Sequence, residues 1–576
     1  MKIDFYYAPS PAHIEFAANN GFKKVVLDSR GHDSDLDVGC SCSNLLCLMR
    51  EVPQIYNLRK KFAAQITEAR QEVRQRVDFA KSLGLQVYFH SYEVSLPSEV
   101  MEVFPELTVG HVSEMLAEDE TARADRYLCL SNPGVRRLIE IKTAESLEDF
   151  ADIDGFIYSF HESKMITYSH NCDQCKQYPD RFPLIEWLNK AIVAGARKIS
   201  SKIEVIPRLW GINHVKGLGG ERLEYLADFY NNDHALWYCR RPRSRTKYVY
   251  DPEPVNHKLK EYAETNNLSL IYKATWGDYA LNQPLNRWAN QYGSAPQIVE
   301  LSLEHCVSGR DIPLIISRQH QELIKKTQGK NISYAVVPVN WGRICDRKTK
   351  EPAAYPDSWS LNKLNLTIIS RLLQNPELDI SQGIREELEK QYGIDCGDAF
   401  AELLLQTAEV MDMAININGI STAMNLDYLI APANYTLQMF AGILLWYAIM
   451  HPDWKDLIAV DEANTEKIMS RLERAVHEAD KLYDRALATI STMDAGNDIK
   501  TEFKCFFKDF RDLATMLAVS RQRLWTQFTM QRLRQVNYKS SVKLDKLIAE
   551  EKRLISSSKY LSDIFNNNLK NISGWK

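Results

Sequence analysis

Three carboxylic acids follow apolar, strand-like segments that lie far apart in the sequence. They are Glu162 after residues 157–160, Asp278 after 270–272 and Glu304 after 300–303. An apolar approach disfavours the ionised form of a carboxyl group and so suits a general acid. Glycoside hydrolysis needs one carboxyl group to protonate the leaving oxygen and another to activate a water molecule. Together the three acids predict this chemistry, although acids are also common at strand ends for purely structural reasons.

Aromatic residues lie near the same strand ends. Trp210, Trp276 and Trp341 each offer a flat face that stacks on a sugar ring, and His161 precedes Glu162. We predict a substrate-binding role for these four residues. A position in the core is the alternative for each tryptophan.

Amphipathic helical segments alternate with short β-branched or aromatic runs up to about residue 346. The predicted strands are 3–7, 23–28, 85–90, 153–160, 203–209, 235–239, 268–272, 297–303 and 333–339. Such alternation predicts parallel strands with helical crossovers, and the number fits an eight-stranded (β/α)8 barrel, a TIM barrel, with insertions. A doubly wound open sheet is the alternative, but no glycine-rich phosphate-binding fingerprint supports it.

Beyond residue 346 the pattern becomes helical. Apolar residues recur at helical spacing in two series, which are Ile468, Leu472, Val476, Ala479, Leu482 and Leu487, and then Phe503, Phe506, Phe510, Leu513, Leu517 and Leu524. We interpret both as the core of a helical bundle, with a homodimer interface as the alternative. The predicted domains are a catalytic barrel at 1–346, a helical domain packed on it at 347–455, and a C-terminal helical bundle at 456–576.

Composition narrows the choice of partners. Lys and Arg number 71 against 75 Asp and Glu, with no long basic run to neutralise phosphates, so nucleic acid is not an expected partner. The most apolar stretch, 439–450, is too short to cross a bilayer, and no cofactor is predicted. The N-terminal residues lack the features of a secretory signal, so we expect either an intracellular protein or one whose leader was removed.

Eleven cysteines at scattered positions fit reduced thiols better than a disulfide framework. Cys172 and Cys175 have the spacing of half a zinc site, which Cys40 and Cys42 would complete. The alternative is a set of reduced thiols in a long loop, and we predict no metal as the main interpretation.

Read in order, these segments resemble glycoside hydrolase family 67, the α-glucuronidases, over about residues 12–450. The similarity includes 14–22 (IEFAANNGF), 78–88 (DFAKSLGLQVY), Asp154-Gly155-Phe156 followed by Glu162, Lys273 with Asp278, then Glu304, and the helical stretch 361–393. The resemblance implies that Glu162 is the general acid and that Asp278 and Glu304 are joint candidates for the base. It also implies an exo-acting, inverting reaction.

In the same family, basic residues hold the carboxylate of the uronic acid, and the resemblance maps two of them onto Arg208 and Lys273. The alternative is that each forms a buried ion pair with a carboxylate of the barrel. A third family lysine has no counterpart, because Tyr158 and Ser159 occupy its place. The expected partner is an oligosaccharide or a polysaccharide fragment. Two alternatives stay open: a glycosidase acting on a neutral or amino sugar, and a glycan-binding barrel without catalysis.

Overall fold

A computed structural model of the 576-residue chain describes residues 2–8, 10–28, 46–91, 96–109, 127–159, 165–166, 173–178, 182–209, 252–275, 285–286, 288–302, 315–337, 360–421, 459–534 and 549. Its strands are β1 (Lys2–Tyr7), β2 (Lys24–Asp28), β3 (Gln86–Ser91), β4 (Thr108–Val109), β5 (Tyr127–Cys129), β6 (Gly155–Ser159), β7 (Met165–Ile166), β8 (Glu204–Arg208), β9 (Leu270–Lys273), β10 (Gln297–Ser302), β11 (Ile332–Val337), β12 (Asn416–Ile417) and β13 (Ile420–Ser421).

Eight of these strands form a closed parallel barrel, in which β1, β2, β3, β6, β8, β9, β10 and β11 follow one another in the order of the sequence. The predicted (β/α)8 barrel is therefore confirmed. Each of the eight was predicted to within two residues at either end. The ninth predicted strand, 235–239, lies outside the described residues, and the barrel closes without it.

Alternating residues of the barrel strands face its lumen. One apolar cluster contains Phe5, Tyr7, Val26, Tyr88, Ile157, Ile206, Ile271, Ile298, Ala335 and Val337. Their neighbours in the sequence, such as Tyr6, Val25 and Tyr272, belong to a separate core outside the barrel. This two-residue period fixes which face each remaining strand residue presents.

Tyr88 and Gly155 show how closely the lumen is packed. The Tyr88 hydroxyl donates a 2.9 Å hydrogen bond to Glu204 Oε2, and its ring crosses the adjacent strand at Gly155. A Cβ atom at Gly155 would lie 2.2 Å from that ring. Only glycine leaves room for this crossing.

Helices cover the outside of the barrel. They are α1 (Pro11–Asn19), α2 (Pro53–Arg59), α3 (Ala63–Ser82), α4 (Glu99–Val103), α5 (Pro133–Leu147), α6 (Phe182–Ile199), α7 (Pro252–Asn266) and α8 (Ser317–Thr327). In α3 the residues Val73, Val77 and Ala80 are buried at helical spacing against the sheet. The helix ends before Gly84, whose φ of 77° reverses the chain into β3.

In the described part of the chain after the barrel, there are five further helices: α9 (Ser360–Gln374), α10 (Ile380–Tyr392), α11 (Gly397–Ile415), α12 (Glu462–Thr492) and α13 (Asn497–Arg534). Helices α12 and α13 pack against each other and against α11. Both predicted apolar series are core, as expected. The exceptions are Val476 and Leu487, which are half-buried, and at the second of these positions the adjacent Ala486 is fully buried instead.

The core outside the barrel continues into these helices, from Tyr6 in β1 to Ala518 in α13. The proposed boundaries at 346 and 455 both fall outside the described residues, so the division into three domains stays a prediction. Among the described helices, none combines the length and the apolar character that crossing a membrane requires.

Candidate active site

Polar side chains occupy the lumen at the carboxyl ends of six barrel strands. Because they share a face with the apolar lumen residues two positions earlier, they point into the barrel. This polar lumen cluster consists of Tyr7, His90, Ser159, Arg208, Lys273 and Glu300. All six are buried. In barrels of this kind, active sites lie at this end of the strands.

An ion pair stands at the centre of the cluster. Arg208 Nε donates to Glu300 Oε2 at 2.7 Å, and Arg208 Nη2 donates to Glu300 Oε1 at 2.6 Å. The Tyr7 hydroxyl donates a third, longer hydrogen bond of 3.3 Å to Glu300 Oε2. Glu300 has no exposed surface and Arg208 is 2% exposed. The bidentate geometry holds both side chains in one orientation.

Ser159 connects this ion pair to the other side of the lumen. Its hydroxyl oxygen lies 2.9 Å from His90 Nε2, and Arg208 Nη1 donates to it at 3.4 Å. The His90 ring packs edge-on against the Tyr7 ring at 5.8 Å. One continuous network of hydrogen bonds and a ring contact thus joins residues from β1, β3, β6, β8 and β10, and it forms a floor at this end of the lumen.

For Arg208 the described geometry matches the alternative given above, a buried ion pair with a barrel carboxylate. Its parallel donors Nε and Nη2, which would grip a substrate carboxylate, are directed at Glu300 instead. Direct recognition of a uronate by Arg208 would require Glu300 to give up these hydrogen bonds.

Lys273 is the last residue of β9, and its Cα is opposite that of Glu300. Its carbonyl oxygen accepts a 3.1 Å hydrogen bond from Asn286 Nδ2, while Asn286 Oδ1 accepts one from the Trp288 backbone at 3.0 Å. Next to it, Thr275 pairs with Leu285 in an isolated antiparallel bridge. The two residues that flank segment 276–284, which contains Trp276 and Asp278, are therefore held beside each other near the carboxyl end of β9.

The remaining predicted site residues lie outside the described residues. These are Glu162, Asp278, Glu304, His161, Trp210, Trp276 and Trp341. The strand ends nevertheless give their place in the chain. Glu162 comes three residues after Ser159, Asp278 five after Lys273 and Glu304 two after Ser302. All three acids therefore follow the carboxyl ends of barrel strands, and β9 and β10 are adjacent.

Sequence reasoning did not single out Glu300, His90 or Tyr7. Glu300 carries the clearest signal, since it is an acid between Val299 and Leu301 in an apolar strand. A charge at an inward-facing position needs a partner. That partner, Arg208, is 92 residues away, and only the closure of the barrel reveals it.

The proposed zinc ligands Cys40, Cys42 and Cys172 also lie outside the described residues, while Cys175 is buried with its sulfur 3.2 Å from that of Cys129. Within the described parts of the chain, no three His, Cys, Asp or Glu side chains form a group that would hold a metal.

No family model matches the sequence, and no curated protein is significantly similar to it. Among solved structures, a glycoside hydrolase family 138 enzyme targeting pectin rhamnogalacturonan II matches with a TM-score of 0.50 and 11% identity. The match covers 98% of this chain and 62% of the enzyme, so the chain spans less than two thirds of that enzyme. This likeness shows the fold alone, a closed (β/α)8 barrel followed by helices.

Two other glycoside hydrolases match more weakly. An O-GlcNAc hydrolase of Thermobaculum terrenum has a TM-score of 0.36 at 11% identity, covering 98% of this chain and 96% of its own. A family 89 enzyme of Clostridium perfringens has a TM-score of 0.37 at 10% identity, covering 96% and 66%. Membership of the α-glucuronidase family stays a prediction, because these structural likenesses do not test it.

Proposed function

We propose that this protein is a glycoside hydrolase. The observation that carries the proposal is a closed eight-stranded parallel barrel whose lumen becomes polar at the carboxyl ends of its strands, where Glu162, Asp278 and Glu304 follow in the sequence. The buried ion pair and its neighbours give this end of the barrel a fixed floor of hydrogen-bonding groups. Fixed donors and acceptors under a sugar ring suit the orientation that glycoside cleavage needs.

In this proposal Glu162 protonates the oxygen of the leaving group. Asp278 or Glu304 removes a proton from the attacking water on the opposite face of the sugar. Asp278 belongs to the segment whose ends Thr275 and Leu285 hold together. Trp210, Trp276, Trp341 and His161 would contact the sugar, with no cofactor involved.

We further propose a uronic-acid-bearing glycan as substrate, cleaved from a chain end with inversion. Arg208 and Lys273 are the residues proposed to hold the substrate carboxylate, and Arg208 already donates in parallel to Glu300. This same observation favours a second candidate, a glycosidase of this fold that cleaves a neutral or amino sugar and uses the ion pair only as structure.

A homodimer through the C-terminal helices is also proposed, but these helices leave little apolar surface for it. The two apolar series of α12 and α13 are largely buried within the chain itself. A dimer would have to use other residues of these helices, and sedimentation equilibrium would decide the point.

A substrate panel tests the proposed function. The full chain is incubated with uronate-bearing oligosaccharides and with matched neutral and N-acetylated oligosaccharides, and the products are separated by chromatography. Release of a uronic acid supports the finer proposal, whereas cleavage of only the neutral or amino sugars supports the second candidate. Proton NMR of the first-formed anomer distinguishes inversion from retention. Binding without cleavage across the panel would contradict hydrolysis.

A further inference from the structure

Two thiols meet where successive loops of the barrel touch. Cys129 ends β5, which lies between β3 and α5, and Cys175 begins a short 3-10 helix (Cys175–Gln177) between β6 and α6. Their sulfur atoms are 3.2 Å apart. Both side chains are buried, with exposed fractions of 1% and 0%. The contact therefore joins the loops that follow the third and fourth barrel strands.

The backbone on both sides of this contact is held independently of the sulfurs. Strand β5 pairs with β4 and with β7, where Cys129 is opposite Ile166. The Ser131 hydroxyl lies 3.0 Å from Cys129 Sγ and donates to Gln174 Oε1 at 3.2 Å. Beyond Cys175, the Tyr178 ring packs edge-on against Trp187 of α6. The two sulfurs are thus brought together by the fold.

We propose that Cys129 and Cys175 form a disulfide bond when the chain folds in the presence of a disulfide oxidant such as oxidised glutathione. The two thiols lose two protons and two electrons, the sulfur–sulfur bond forms, and the oxidant is reduced to two thiols. A disulfide has a sulfur separation of about 2.05 Å, so the sulfurs need to approach by only about 1 Å.

The order of events follows from burial. In the folded, reduced chain, the hydrogen bond that the Cys129 thiol donates to Cys175, together with desolvation, raises the pKa of Cys129 well above its ordinary value. Thiolate is the species that exchanges, so the folded thiols react slowly. The bond therefore forms during folding and resists reductants afterwards.

This bond would fasten the chain beyond Glu162. Residue 162 lies between the end of β6 at Ser159 and the start of β7 at Met165, and β7 is already paired with β5. A covalent link from Cys129 to Cys175 would add a second attachment, besides the β5–β7 pairing, between β5 and the chain that follows Glu162. The cross-link itself does not depend on the proposed hydrolase activity.

Peptide mapping tests the proposal. The chain is refolded in a glutathione buffer, the remaining thiols are alkylated after denaturation, and a non-reduced tryptic digest is analysed by mass spectrometry. We expect peptide 127–136 linked to peptide 165–176, with fragmentation between Cys172 and Cys175 locating the bond. Cys47, Cys396 and Cys505 serve as internal controls, since each should be alkylated.

Three variants complete the test, and each possible result either supports or contradicts the disulfide. Cys172→Ser should keep the cross-link, while Cys129→Ala and Cys175→Ala should lose it, together with the rise in Tm that oxidation gives the unsubstituted chain. Full alkylation of Cys129 after oxidative refolding would overturn the proposal. So would a link that requires Cys172, or stoichiometric zinc that disappears in Cys129→Ala. The mapping of the unsubstituted chain stands even if a variant fails to fold.

Discussion

Arg208 and Glu300 form a bidentate ion pair in the barrel lumen, with donor–acceptor distances of 2.7 and 2.6 Å. The two residues end or nearly end β8 and β10, which are separated in the barrel by β9. The pair therefore spans one strand, beside Lys273 of that strand. A charge pair in this position orients its surroundings at the cost of desolvating two ions.

Breaking this pair from one side should be costly. Arg208→Met leaves Glu300 as an uncompensated buried charge, so we expect the free energy of unfolding to fall by about 3–5 kcal/mol. The double variant Arg208→Met/Glu300→Leu should lose less than the sum of the two single variants. Midpoints of urea unfolding measure these differences.

Arg318 offers a matched control, since its pair with Glu402 is exposed. Arg318→Met should cost less than about 1 kcal/mol. Equal losses for the two arginine variants would show that the lumen pair contributes no more than a surface pair.

Glu162→Gln should remove the proton donor of the proposed reaction. Turnover of substrates with poor leaving groups should fall by roughly 10²–10⁴-fold, and that of activated aryl glycosides much less. Steady-state rates on both substrate types measure the difference. Glu106→Gln, a change at an exposed residue, should leave both rates unchanged. Unaltered turnover of a natural oligosaccharide by Glu162→Gln would remove Glu162 from the mechanism.

Asn286→Ala should loosen the segment that contains Asp278. The change deletes the hydrogen bonds to the Lys273 carbonyl and from the Trp288 backbone, at a fully buried position. We expect a loss of about 1–3 kcal/mol in stability and a fall in kcat larger than the change in KM. Asn331, whose side chain donates to the Ser294 carbonyl at the other end of the barrel, is the control. If Asn331→Ala lowers kcat equally, Asn286 has no positioning role.

Gly155→Ala should disrupt the packing around Tyr88 in the barrel lumen. The added methyl group would lie 2.2 Å from the Tyr88 ring and 2.9 Å from the Glu204 carbonyl oxygen. Overpacking of this kind costs typically about 1–3 kcal/mol. Thermal unfolding measures the loss against Gly496→Ala, where the new methyl group meets nothing within 4 Å. Similar Tm values for the two variants would contradict the tight crossing of Tyr88.

His13 should make the fold sensitive to mild acid. Burial lowers the pKa of His13 from 6.5 to about 4, and its Nδ1 lies 2.7 Å from the Tyr6 hydroxyl. Because the unfolded chain binds the proton more tightly, the contribution of neutral His13 to the free energy of unfolding is fully present above pH 6.5. It is lost progressively as the pH falls towards 4. The contribution amounts to roughly 3 kcal/mol.

The control for this prediction is His13→Asn, which keeps an acceptor near Nδ1 but does not titrate. Its Tm should fall less than that of the unsubstituted chain between pH 7 and pH 4.5. Parallel decreases would assign the acid sensitivity to carboxylates elsewhere.

The barrel was predictable because its signals are local. Each strand is a short apolar run after a helix and a turn residue, as in the glycine-to-strand transition at Gly84, and the two-residue alternation then assigns its faces. The two small sheets β4–β5–β7 and β12–β13 were missed, because strands of two or three residues show no periodicity.

The site was only partly predictable, because its key relationships are long-range. Arg208 was recognised as a site residue, but two roles fitted its sequence equally well. The choice of Glu300 as its partner depends on strand order and on the register of β8, β9 and β10. Likewise, nothing in the sequence around Cys129 indicates Cys175, since their contact arises from two loops folding onto each other.

The bridge between Thr275 and Leu285 makes the position of strand β9 independent of the sequence of segment 276–284. Since both ends of the segment are fixed at one place, residues can be inserted there or exchanged at a small entropic cost and without shifting β9. In the proposed hydrolase, the choice of sugar can therefore change by substitutions within this single stretch, while the barrel beneath it stays the same.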